Sequence, residues 1–108
     1  MLRPVLVFLA CLAAASAAFG QGGAARLKRA EQLLERHCGA CHAVGRTGAS
    51  KRRQAMPLRQ LGRHYPVESL QEALAEGLIS GHPDMPEFKF GPDDVGAIID
   101  YLKSIQVR

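Results

Sequence analysis

The chain has 108 residues, with 14 basic against 10 acidic side chains, a formal charge of +4, three cysteines and no tryptophan. That length admits one compact domain and not two, and so mild a positive bias falls short of the concentrated basic stripe of a nucleic-acid binder. With few large aromatics, a core built from side chains alone is marginal at this size, so something besides side chains is expected to fill the middle.

Residues 1–20 read as a secretory signal peptide. Arg3 is a minimal positive start, Val5 to Ala18 is apolar apart from Ser16, and Ala18-Phe19-Gly20 before Gln21 fits the small-x-small cleavage rule, with a cut after Ala18 fitting almost as well. The run is shorter than the roughly 20 residues needed to span a bilayer. The expectation is therefore an exported domain over residues 21–108, attached to a membrane only if the segment is retained. Cys11 lies inside the apolar run and is discarded with it; lipid attachment there would leave a very short apolar segment ahead of it.

Ala24 to His37 predicts a helix, with Leu27, Ala30, Leu34 and Cys38 on one face and charged residues opposite. From Ala43 to Met56 the periodicity dissolves, and Gly45, Gly48, Ser50 and the run Lys51-Arg52-Arg53 describe an exposed loop. Pro57 opens a short helix through Gly62. Pro66 is placed as the first residue of a longer one to about Ile79, with Val67, Leu70, Leu74 and Leu78 inward and Gly81 as its stop. Gly81 to Gly91 contains Pro83 and Pro86 and is not regular helix. Pro92 opens the last helix, with Asp93 and Asp94 in its first turn and Val95, Ile98, Ile99, Leu102 and Ile105 as its apolar stripe. Sustained two-residue alternation is absent, which makes the domain all-α.

The chemistry is concentrated in Cys38-Gly39-Ala40-Cys41-His42, the C-x-x-C-H pattern of haem attachment. Two thiols three residues apart on one helical turn can both reach a haem edge and add to its vinyl groups as thioethers. His42 follows directly and is held beneath the iron, where its imidazole serves as the proximal ligand. A thioredoxin-type dithiol would need a βαβ setting. A zinc site would need a second ligand pair, which His64 and His82 do not form.

For the sixth ligand, Met56 and Met85 are the methionines beyond Met1. Met85 stands in Gly81-His82-Pro83-Asp84-Met85-Pro86-Glu87-Phe88, where flanking prolines stiffen the loop and help hold a weak thioether–iron bond closed. Met56, before Pro57, is expected to pack on the haem edge. His82 is the rival ligand but reads as an exposed loop residue, and His37 and His64 read as structural or solvent-facing.

Taken together, these residues resemble the class I cytochrome c family: attachment motif near the start, methionine loop near the end, terminal helix last. The resemblance covers nearly all of residues 21–108. It implies a cytochrome c fold of three to five helices wrapped around one covalently bound haem c, with cofactor contacts from Cys38, Cys41, His42 and Met85 and iron ligation by His42 and Met85. Family members often carry Gly and an aromatic residue eight and four positions before the first motif cysteine, where the first helix crosses the last. Here Ala30 and Leu34 stand there, facing Ile98, Tyr101 and Leu102. The family also usually has a proline after the motif whose carbonyl accepts the proximal histidine's second N–H. Gly48-Ala49-Ser50-Lys51 has none, which leaves the acceptor open among the loop's carbonyls.

The function implied is that of a monomeric periplasmic one-electron carrier, not an enzyme, passing electrons between a dehydrogenase or respiratory complex and an acceptor. Lys51, Arg52, Arg53 and Lys89 offer a charged rim for steering an acidic redox partner, though such a run is also simply a solvated loop. The alternative is a gas-binding or sensing haem protein with an open or labile sixth position, which would not need Met85. A dihaem peroxidase would need a second attachment motif, and the sequence has one.

Overall fold

The computed structural model describes residues 23–77 and 84–107. The expected signal segment with Cys11, and the stretch from Leu78 to Pro83 with Gly81 and His82, lie outside them. No strand occurs among the described residues, as the missing two-residue alternation predicts. No helix among them is long and apolar enough to cross a membrane.

The first helix, α1, covers residues 23–38. Alanine, leucine, lysine, arginine, glutamate and glutamine make up most of it, all strong helix formers, and neither glycine nor proline interrupts it after Gly23. It closes where the Gly39 N–H donates to the carbonyls of Leu34 and Glu35, both at 3.1 Å. Cys38 is thus its last residue, one beyond the expected end. The irregular segment that follows folds back on itself. The Ala43 N–H donates to Ser50 Oγ at 2.9 Å, and the Arg52 and Leu58 N–H groups donate to the carbonyls of Cys41 and Ala43 at 3.1 and 2.9 Å.

Pro57 caps a 3-10 helix, Leu58–Arg63, that buries Leu58 and Leu61. The longer helix expected from Pro66 is shorter and divided. Pro66 has an extended backbone (φ −60°, ψ 132°), so it stands before the helix and not in it. A 3-10 turn, Val67–Ser69, leads into α2, Leu70–Glu76. That helix stops at Gly77, whose φ of 121° few other residues adopt. The chain later returns to satisfy its last turn: the Phe90 N–H donates to the Leu74 carbonyl at 2.8 Å.

The last helix, α3 (Pro92–Ile105), has Pro92 in its first turn, Asp93 and Asp94 beside it and Lys103 near the end, as the macrodipole favours. Its inward face carries Val95, Ile98, Ile99, Tyr101, Leu102 and Ile105, all buried. Ala30 and Leu34 of α1 join the same core, with Ala30 and Ile98 fully enclosed. A small side chain at residue 30 lets the helices approach closely. Arg26 pairs with Asp100 and Arg29 with the half-buried Asp94 across the same two helices, surface contacts worth about 1 kcal/mol or less each. Burial of the apolar stripe contributes far more, about 1.5–3 kcal/mol per large side chain.

The end of the chain ties α3 to the first 3-10 helix. The Gln106 side-chain amide donates to the carbonyls of Leu58 (3.0 Å) and Leu102 (2.7 Å) while its oxygen accepts from the Gly62 N–H at 2.8 Å. The core therefore lies where α1, α3 and the 3-10 turns meet, and it leaves one side of the motif open.

Candidate functional site

The open side is a cavity of about 690 Å³, within the range of sites that take a cofactor-sized molecule. Cys38, Cys41, His42 and Met85 all line it, so residues more than 40 positions apart in sequence share one space. Leu58, Leu61, Ala55, Pro86 and Phe88 supply apolar walls. A second hollow, beside Lys51, Arg53 and Arg59, contains none of the expected site residues.

The motif is held by a tight turn at the end of α1. The Cys41 and His42 N–H groups both donate to the Cys38 carbonyl, at 3.2 and 2.9 Å. This turn lets both thiols border the cavity while His42 follows immediately. Burial pushes the Cys38 thiol up to about 11. That is the reverse of the lowered thiol pKa of a reactive redox cysteine. Among the described residues no three His, Cys, Asp or Glu side chains are grouped to hold a metal ion, and His64 is exposed, which leaves the zinc reading without its second ligand pair there.

His42 is fixed from behind. Its Nδ1 lies 2.6 Å from the Met56 carbonyl oxygen. A carbonyl only accepts, so Nδ1 carries the proton and Nε2 keeps its lone pair for an iron. The acceptor that the sequence left open is therefore Met56, beyond the Gly48–Lys51 stretch, because the loop swings outward before returning beside the imidazole at Pro57. The Met56 side chain is half-buried against the core and borders the cavity, as expected for a residue at a haem edge.

The donor set fits a covalently held haem: two thiols at one rim, one oriented imidazole and one thioether, around an otherwise largely apolar space. The approach to Met85 carries two further contacts. Arg52 Nη2 donates to Asp84 Oδ2 at 2.6 Å across the cavity wall. His37, expected to be merely structural or solvent-facing, lines the cavity and packs its ring against Phe88 and Phe90, with centroids 5.3 and 5.4 Å away. Sequence reasoning missed both, and the spacing from one partner to the other explains why. The only sequence signal was Asp84 and Phe88 standing close to a candidate ligand.

Above the motif, Tyr101 of α3 donates its hydroxyl to the Val44 carbonyl at 3.0 Å. That bond pins the chain two residues after His42 to the helix core. Tyr65 also borders the cavity and is the one large hydrophobic side chain substantially exposed among the described residues.

A family model described as "Cytochrome C oxidase, cbb3-type, subunit III" matches residues 25–102. Comparison with curated proteins gave no match, and neither did comparison with solved structures.

Proposed function

The chain belongs to this family of c-type cytochromes, and on that premise we propose that Cys38 and Cys41 attach haem c as thioethers, with His42 and Met85 as its axial ligands. Membership makes the protein a class I-like monohaem cytochrome of all-α cytochrome c fold, with covalently bound haem c. Membership implies haem-based electron transfer, and the proposal takes the chain as a carrier. Bound haem supplies a ferric/ferrous couple that takes up and releases one electron.

The observation that carries the ligand assignment is the convergence of all four side chains on one cavity, with the imidazole already oriented. Cys38 and Cys41 would anchor the group beside His42. The Met56 carbonyl, by accepting from Nδ1, raises the basicity of the opposite nitrogen. Met85, as a thioether donor to the bound group, would favour its reduced state and raise its potential. The apolar wall excludes water and limits reorganisation as charge passes.

The same proposal takes residues 1–20 as a cleaved signal and 21–108 as the working domain. It places the protein in the periplasm as a monomer, between a dehydrogenase or respiratory complex and an acceptor. The apolar, small-residue pattern of residues 1–20 and the attachment motif support that placement, and the exposed cations of the 51–53 run suit an acidic partner.

The test is the absorption spectrum of the oxidised holoprotein. A near-infrared sulfur-to-iron charge-transfer band that disappears in Met85→Ala is the expected result. A band unchanged in that variant would overturn the Met85 assignment, whereas rapid carbon monoxide binding to the unaltered ferrous protein would favour the gas-binding alternative.

A further inference from the structure

Met85 lies in an irregular segment that has no helix of its own to hold it: residues 84–91 are turn, bend or without regular structure. Such segments open at low free-energy cost unless something tethers them. On the C-terminal side the tethers are ample. His37 packs on Phe88 and Phe90, and the Phe90 N–H bonds the end of α2. Immediately before Met85, Asp84 forms an ion pair with Arg52 at 2.6 Å.

Its placement is specific. Asp84 is the immediate neighbour of Met85. Arg52 is itself anchored to the haem-attachment motif, because its N–H donates to the Cys41 carbonyl at 3.1 Å, one residue before His42. Both side chains border the cavity. The pair therefore joins the His42 side of the cavity to the Met85 side across 32 residues of sequence.

We propose that Arg52 and Asp84 are positioning residues, forming a clasp across the cavity that keeps the Met85 thioether at the sixth position. This rests on the reading of Met85 as a ligand. The side chains are exposed, 44% and 65%, so the clasp adds little to global stability. Its effect is local and falls on the open-to-closed ratio of the methionine loop. Loss of the clasp raises the population with Met85 detached by about two- to fivefold, the scale on which exposed ion pairs act.

The experiment uses the holoprotein, with carbon monoxide as probe of the open sixth position and the near-infrared band as probe of the closed one. In Arg52→Ala, Asp84→Ala and Asp84→Asn, the rate of carbon monoxide uptake by the ferrous protein should rise about two- to fivefold, with the unfolding midpoint nearly unchanged. The gap to the unaltered protein should shrink in high salt. The exchanged pair Arg52→Asp with Asp84→Arg should recover most of the original rate.

Asp84 variants that match the unaltered protein would overturn the clasp, as would an exchanged pair no better than the single variants. An Arg52 effect without an Asp84 effect would do the same, since Arg52 would then act on another group. If Met85→Ala leaves the near-infrared band in place, the ligand assignment itself falls, an outcome distinct from any of these.

Discussion

Replacing Tyr101 by phenylalanine removes one oxygen from the interior and makes a sharp test of how α3 supports the motif. Tyr101 is 7% exposed and Val44 2%, and the hydroxyl donates to the Val44 carbonyl at 3.0 Å. The lost bond is worth about 0.5–1.5 kcal/mol, and the carbonyl left without that donor brings the total to about 1–3 kcal/mol. The pH dependence gives a second signature. Burial, and after it the negative field of Glu31, raises the Tyr101 pKa above its ordinary 10. The folded state thus prefers the neutral phenol. That preference contributes fully below the unfolded-state pKa and is lost as pH rises through the folded one. Guanidinium unfolding of the holoprotein, followed by far-ultraviolet circular dichroism from neutral pH to about 11, should show the variant weaker at pH 7 and the gap closing above pH ~10. Equal stabilities at pH 7, or a gap that widens with pH, would refute the reasoning.

Ile98→Ala should cost about 2–5 kcal/mol in the same assay, because the side chain is completely enclosed at the meeting of α1 and α3 and its removal leaves a cavity. A loss below 1 kcal/mol would mean the helices do not pack there. Gly77→Ala should cost about 1–3 kcal/mol, since φ is 121° and the new methyl would run into the Glu87 carboxylate. An alanine variant as stable as the original would show that the α2 terminus relaxes freely.

The helices that build the core were legible because their signals are local. Ala30 and Leu34 sit at the spacing of one helix face, Pro92 with Asp93 and Asp94 marks a helix start, and all of them lie where that spacing puts them. The attachment motif was legible for the same reason, being five consecutive residues. Pro66 misled because proline is equally at home just before a helix, and here it precedes a 3-10 turn that buries Val67. The partner of the His42 ring could not be read, since every residue has a carbonyl and only the path of the loop brings the one from Met56 to Nδ1. The Arg52–Asp84 and His37–Phe88 contacts were hidden similarly. Each needs the fold to bring distant residues to one wall, and neither residue type at those positions announces its partner.

Covalent attachment of haem c through Cys38 and Cys41 is tested most directly by intact-mass measurement of the purified protein under fully denaturing conditions. The expected result is a single species heavier than the polypeptide by one haem, its colour travelling with the chain, with the mass unshifted when both cysteines are replaced by alanine. A colourless chain at bare polypeptide mass, with free porphyrin separated from it, would contradict the account.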